Sequence, residues 1–216
     1  MLHAFEAHKI SDPIREQLWN SEDAKTSSII GTLSHLPARM FWNILYDALV
    51  EKDKLPAPDT VYELIDIEFW PFWKLDEKVE PDVFLQFDRF DLILELKRND
   101  NNRQYSGQWK RELEAYQKTY PNRTKPCYLI AISGRTTESQ PGVYPCSWTS
   151  LLNATRQCLK KMKREQPHAH EVRILNDAVH AFHIHHEYPY CYFDSMDYEP
   201  QTDGISEYND LFMQKL

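Results

Sequence analysis

Between residues 80 and 97, alternating hydrophobic and polar positions give way to a continuous apolar run. Apolar residues occupy every second position from Val83 to Phe87, which is the period of a β-strand. Asp88-Arg89 is a short polar break suited to a turn, and the apolar run FDLILEL follows it. A run of this kind is typical of a strand that is buried on both faces. The pattern therefore predicts a β-hairpin whose second strand lies inside the protein.

Helical and strand-like segments surround this hairpin. Residues 27–50 have helical spacing, with Pro37 suited to the first turn of the main part, and residues 61–73 are predicted as a first strand. The order predicts one mixed α/β domain, with a core over residues 27–133 and a C-terminal helical elaboration over residues 147–216. The remaining predicted elements are a helical leader over 1–25, helices over 106–120 (capped by Ser106), 147–164 (capped by Ser147 or Thr149) and 169–186, and strands over 127–133 and 143–146.

Composition narrows the class of protein. The 216 residues are 42% hydrophobic, which suits one folded domain with a substantial core. Only 5 glycines argue against a glycine-rich nucleotide-binding loop. No apolar run has the length of a membrane span, the N-terminus lacks the apolar core of a signal peptide, and the 4 cysteines are widely spaced. We therefore expect reduced thiols, a cytoplasmic location and no membrane partner.

Charge is unevenly distributed along the chain. The net charge of −8 is unfavourable for a protein that binds DNA. Residues 97–125, however, contain eight basic residues against three acids, whereas residues 187–216 contain seven acids and one lysine. The basic segment directly follows the hairpin. It predicts either a surface for a phosphate backbone or a solvated basic helix face.

Charged side chains interrupt the hairpin at positions where burial is costly. Glu95 and Lys97 are two residues apart and share one face of the second strand, and the turn brings Asp82 back beside Glu95. Two carboxylates with backbone and water oxygens suit Mg²⁺ (or Mn²⁺), and a neighbouring lysine can orient water or stabilise charge on a phosphate. This set predicts metal-assisted hydrolysis of a phosphodiester.

Pro81-Asp82 followed by Glu95-Leu96-Lys97 resembles the PD-(D/E)xK signature of the restriction endonuclease-like nuclease superfamily. The resemblance covers roughly residues 61–133. It implies an αβββαβ core, a mixed central sheet flanked by helices, and Mg²⁺-dependent cleavage of DNA. In the implied site Asp82 and Glu95 hold the metal and Lys97 serves the attacking water. A glutamine on the following helix supports them, with Gln108 as the best match and Gln104 as the second.

The basic residues after the hairpin are expected to hold the phosphate backbone of DNA. This applies to Arg98, Arg103, Lys110 and Arg111.

The sequence departs from the superfamily pattern in its first helix. Many members use an acid there, but residues 27–50 contain no glutamate. One metal held by Asp82 and Glu95 is therefore the safer expectation. The open candidates for a third acid are Asp47, Glu51, Glu63 and Glu68.

Alternatives to an active deoxyribonuclease stay open. The net acidity and the missing acid favour a nuclease-fold subunit that binds DNA or protein with weak or no catalysis. The motif would be accidental in a pure interaction domain that uses the aromatic segment FWPFW at residues 69–73, for which packing is favoured over base stacking. The sequence does not separate DNA from RNA, or endo from exo action. A homodimer, a partner subunit, and roles in host defence, restriction or repair are all compatible.

Overall fold

A computed structural model describes residues 9–52, 54–99, 102–134 and 140–189. Within these ranges the chain is mixed α/β, with six α-helices and a five-stranded mixed sheet. The helices are α1 (Asp12–Asn20), α2 (Glu22–Leu33), α3 (Ala38–Asp47), α4 (Ser106–Thr119), α5 (Trp148–Glu165) and α6 (His170–Ile184). The strands are β1 (Leu64–Phe69), β2 (Trp73–Lys74), β3 (Lys78–Val79), β4 (Val83–Phe87), β5 (Asp91–Leu96), β6 (Cys127–Ile132) and β7 (Val143–Cys146).

The predicted hairpin is confirmed. Strands β4 and β5 pair antiparallel, and the turn closes with a 2.9 Å hydrogen bond from the Phe87 N–H to the Phe90 carbonyl. All six residues of β5 are buried, as the apolar run predicted. The sheet order is β1-β4-β5-β6-β7, with β5, β6 and β7 parallel to one another, while β2 and β3 form a separate small hairpin. Strand β5 is therefore central, and helices cover both of its faces.

Side chains alternate between two hydrophobic layers along β5. Leu92, Leu94 and Leu96 belong to the larger core that contains residues of α2, α3, α5 and α6. Ile93 belongs to the smaller core, together with Trp109 of α4. Because strand residues alternate with period two, Glu95 lies on the same face as Ile93, towards α4.

Several predicted boundaries were wrong. The helix expected over residues 27–50 is two helices, α2 and α3. Helix α2 begins earlier than predicted, at Glu22, because the Ser21 hydroxyl caps it by accepting a 3.1 Å hydrogen bond from the Ala24 N–H. The strand expected over residues 61–73 is shorter, because β1 runs only from Leu64 to Phe69, and Trp73 belongs to β2 of the separate small hairpin. Ser106 is the first residue of α4 and not its cap, which is Tyr105 without a side-chain bond.

The C-terminal helices agree closely with prediction. Ser147 caps α5 by accepting a 3.0 Å hydrogen bond from the Ser150 N–H. The helical leader is present as α1, but residues 1–8 of that prediction, and residues 190–216 of the predicted C-terminal elaboration, lie outside the described ranges. Within those ranges, no helix combines the length and apolar character needed to cross a membrane.

Candidate functional site

Asp82, Glu95 and Lys97 converge at one end of the sheet. The Asp82 Oδ2 atom accepts a 2.7 Å hydrogen bond from the Leu96 N–H, which ties the start of β4 to the end of β5. The Lys97 ammonium donates a hydrogen bond to the Glu95 Oε1 atom. Strand alternation explains this meeting, because Asp82, Glu95 and Lys97 all occupy positions on the α4 side of the hairpin. The residues of the sequence motif are thus brought together, as predicted.

Glu22 of α2 joins this cluster and was missed by sequence reasoning. Its Oε1 atom lies 3.8 Å from Lys97 Nζ, and its Oε2 atom accepts a 2.7 Å hydrogen bond from the Arg98 N–H. The available signal was Ser21 followed by two acids, which is typical of a capped helix start. Because the helix was predicted to start at residue 27, Glu22 was not considered as an acid of that helix.

The four residues left open as a third acid have no contact with this cluster in the described part of the chain. Asp47 lies 3.9 Å from Lys52 Nζ, and Glu68 accepts a 3.4 Å hydrogen bond from Gln86. Glu51 and Glu63 are exposed. The acid that approaches Lys97 is therefore Glu22 of α2.

Helix α4 contributes a buried acid behind Glu95. Glu112 is 2% exposed, and its Oε1 atom accepts a 3.0 Å hydrogen bond from Gln108 Nε2. Its Oε2 atom is buried and accepts no hydrogen bond from a described residue, and the Glu112 carboxyl can hydrogen-bond to Glu95 only when one of the two acids carries a proton. Gln108, the predicted supporting glutamine, thus bonds to Glu112 and reaches the motif only through it. Sequence reasoning assigned Glu112 no role.

Gln104 is hydrogen-bonded to the ends of β5 and β6, next to the site. It is 3% exposed, and its Nε2 atom donates to the carbonyls of Glu95 (3.4 Å) and Ser133 (3.2 Å). Its Oε1 atom accepts a 2.9 Å hydrogen bond from Trp109. The Gln104 side chain thereby joins the ends of β5 and β6 to α4.

A buried lysine and a tryptophan fix the chain on either side of the Lys97 peptide. Lys25 of α2 is 2% exposed and donates a 2.7 Å hydrogen bond to the Arg98 carbonyl. Trp148 Nε1 donates a 2.8 Å hydrogen bond to the Lys97 carbonyl, and the Lys25 ammonium lies 4.5 Å from the centre of the Trp148 ring. The backbone that carries Lys97 is therefore held by α2 and α5.

Burial, reinforced by like charges, dominates the electrostatics of the cluster. Burial, followed by the neighbouring Glu95 carboxylate, raises the pKa of Asp82 to about 8. Burial and the proximity of Glu95 also raise the pKa of Glu112 well above its ordinary value. Burial alone would lower the pKa of Lys97, but the Glu95 and Glu22 carboxylates outweigh it and raise that pKa. Lys97 is therefore a firmly protonated ammonium among carboxyl groups that resist simultaneous ionisation.

The donor set fits a hard divalent cation in its chemistry. Asp82 and Glu95 offer carboxylate oxygens, and the buried Glu112 carboxyl lies next to Glu95 in the same cluster. In the described part of the chain, no group of three or more His, Cys, Asp or Glu side chains is arranged to hold a metal ion. The Lys97 ammonium contacts Glu95 directly instead. Binding of a cation would therefore require this contact to open.

Neither a protein-family model nor a curated protein matches the chain. Function therefore has to be inferred from the side chains and their surroundings.

The four basic residues expected to hold DNA divide into two pairs. Arg98 and Arg103 are exposed on the segment that follows Lys97. Lys110 lies 3.8 Å from Glu114, and Arg111 lies 3.3 Å from Glu77. These two ion pairs are exposed and therefore weak, so a phosphate could displace either acid at small cost.

Proposed function

We propose that this protein is a Mg²⁺- or Mn²⁺-dependent nuclease that hydrolyses phosphodiester bonds of DNA. The observation that carries the proposal is the convergence of Asp82, Glu95 and Lys97, joined by Glu22, at one end of a rigid sheet. A cluster of acids around one half-buried lysine is unfavourable unless it serves a function, and a divalent cation would relieve the repulsion between the acids.

The fold supports the same proposal. A helix, the antiparallel strands β1, β4 and β5, helix α4 and the parallel strand β6 follow in the order of a restriction endonuclease-like αβββαβ core. In the proposed core, Asp82 precedes β4 and Glu95 lies in β5, which is the layout that the resemblance implies. Fold alone does not determine function, so the proposal depends on the site chemistry.

Each side chain has a distinct task in the proposed reaction. Asp82 and Glu95 would hold the cation, which would supply Lewis-acid activation of the phosphodiester and of water. The Lys97 ammonium, because it is protonated, would donate a hydrogen bond to the attacking water or to a phosphate oxygen rather than remove a proton. Glu22 would orient Lys97, and Gln108 would hold Glu112 behind Glu95. Arg98 and Arg103 would contact the phosphate backbone.

Cleavage of plasmid and single-stranded DNA with Mg²⁺ or Mn²⁺ tests the proposal. Wild type is compared with Asp82→Ala and Lys97→Ala, and Lys160→Ala, an exposed lysine on α5, is the matched control. Circular dichroism verifies the folding of each variant. Loss of cleavage in the first two variants alone would establish the site. Cleavage that persists in both would show that the reaction occurs elsewhere or comes from contamination.

A second candidate function is a nuclease-fold subunit that binds DNA or protein without cleaving. The direct contact of Lys97 with Glu95, a proposed metal ligand, favours it together with the net charge of −8. A folded wild-type protein that cleaves no substrate in the presence of metal would support this candidate.

A further inference from the structure

Two aromatic side chains are exposed on the segment that follows β1, whose backbone is hydrogen-bonded to Asp82. Trp70 is 36% exposed and Phe72 is 65% exposed, and both follow the end of β1. The Trp70 N–H donates a 3.0 Å hydrogen bond to the Asp82 carbonyl. Because Phe69 pairs with Val83, this bond places Trp70 opposite Asp82, one step further along the ladder. The exposed aromatics thus stand at the edge of the candidate site.

The segment that carries them is anchored on its inner side. Trp73 is 2% exposed and packs edge-on against Phe84 and Tyr120, with ring centres 5.1 and 6.1 Å apart. Lys118 of α4 donates a 3.2 Å hydrogen bond to the Leu75 carbonyl. The aromatic pair is therefore presented on a fixed support, which favours binding because little order has to be gained.

The backbone at Trp70 is in a conformation that bulky residues rarely adopt. Its φ angle is +50°, in the left-handed region, and Pro71 follows. Left-handed conformations of such residues are costly and concentrate at functional sites. The Trp70 ring packs against Phe69, with ring centres 5.6 Å apart, and 36% of the residue is still exposed. The exposed part of the ring is available to a ligand.

We propose that Trp70 and Phe72 form a stacking surface for an unpaired base of the nucleic acid cleaved at Asp82 and Glu95. Aromatic rings bind the faces of bases with little dependence on sequence, and those faces are accessible only where the strand is unpaired. The Lys78 ammonium lies 5.7 Å from the centre of the Phe72 ring, and it forms an exposed ion pair with Glu80 that a phosphate could displace at small cost. This inference rests on the proposed nuclease function and specifies its substrate as a strand that is single-stranded at the cleavage site.

Binding of a labelled single strand and of the matching blunt duplex tests the proposal. Fluorescence anisotropy is measured with Ca²⁺ in place of Mg²⁺, to keep the DNA intact. Trp70→Ala and Phe72→Ala are each expected to weaken single-strand binding by roughly 5- to 100-fold, with a much smaller effect on the duplex. Trp70→Tyr is expected to retain most of the affinity. The matched control is Tyr62→Ala. It removes a ring that is 71% exposed and that precedes the start of β1, at the opposite end of that strand from Trp70.

A base analogue gives a second readout that a purely structural role would not change. Quenching of 2-aminopurine in the single strand by wild type is expected to be lost in Trp70→Ala. Unchanged single-strand affinity in both alanine variants, in a protein that binds and cleaves DNA, would overturn the stacking surface and leave the nuclease intact. Equal weakening for both DNA forms would also overturn it. A wild type that neither binds nor cleaves DNA would overturn both inferences, and the aromatic pair would then be a surface for protein.

Discussion

Replacing Asp82 by asparagine is expected to stabilise the metal-free protein at pH 8. The Asp82 carboxylate is largely buried beside Glu95, and its pKa rises from 3.8 to about 8. The folded state therefore holds a proton that the unfolded state releases. The stability contributed by neutral Asp82 is complete below about pH 4 and is lost as the pH rises through about 8. Asparagine is neutral throughout and can still accept the hydrogen bond from the Leu96 N–H.

The size of the effect follows from the shift. At about 1.4 kcal/mol for each pKa unit, about four units set a ceiling of about 6 kcal/mol. Asp82 is still partly exposed, so water screens the repulsion, and we expect a gain of about 2 kcal/mol. For a chain of this size that corresponds to a rise in melting temperature of about 4–8 °C.

Thermal unfolding in EDTA, followed by circular dichroism between pH 5 and pH 8, measures this gain. The difference between Asp82→Asn and wild type should shrink as the pH falls towards 4. Asp76→Asn, an exposed acid between β2 and β3, is the matched control and should change stability by less than about 0.5 kcal/mol. Added Mg²⁺ should stabilise wild type more than Asp82→Asn. A metal-free Asp82→Asn protein that is less stable than wild type at pH 8 would refute the reasoning.

Three further substitutions test the packing and charge around the site. Gly134→Ala should lower the free energy of unfolding by about 2 kcal/mol, because φ is +80° and the new Cβ would lie 2.7 Å from Gln104 Cγ; urea denaturation measures this. Asp91→Asn should cost about 3 kcal/mol in the same assay, because this fully buried acid pairs with two cations. Glu22→Gln should reduce metal-dependent cleavage at least about tenfold with little change in stability, because it loosens Lys97.

Each of these has a matched control in the chain. Gly142 has φ +84° but no atom within 4 Å of the position of an added Cβ, so Gly142→Ala should cost no more than about 1 kcal/mol. If Gly134→Ala and Gly142→Ala lower the free energy of unfolding equally, crowding of the new Cβ against Gln104 is not the cause at Gly134. Glu114→Gln breaks an exposed ion pair and should lower the free energy of unfolding by about 0.5 kcal/mol or less. If Asp91→Asn lowers it by as little, burial does not strengthen the ion pairs of Asp91. Asp23→Asn removes the exposed neighbour of Glu22 and should leave cleavage unchanged.

Local periodicity was enough to predict the centre of the fold. The β4–β5 hairpin, its turn and the burial of β5 all follow from side chains that alternate along a strand or stay apolar throughout. The same alternation places Asp82, Glu95 and Lys97 on one face, so their convergence was also predictable. Helix α5 and its Ser147 cap are equally local features.

The rest of the cluster was decided by contacts between distant parts of the chain. Glu22 meets Lys97 across 75 positions, Lys25 meets the Arg98 carbonyl, and Trp148 meets the Lys97 carbonyl. No spacing in the sequence encodes these pairings, because they depend on how α2 and α5 pack against the sheet.

Burial likewise depends on tertiary packing. A glutamate on an amphipathic helix is ordinarily exposed, and only the packing of α4 on β5 puts Glu112 behind Glu95. The segment FWPFW divides for the same reason, since Trp73 packs inward while Trp70 and Phe72 stay exposed beside the site. The sequence by itself thus determined the hairpin and the face that carries the motif. Only the tertiary structure decided which acids surround Lys97 and which aromatic rings face solvent, because these depend on the docking of whole helices and hairpins.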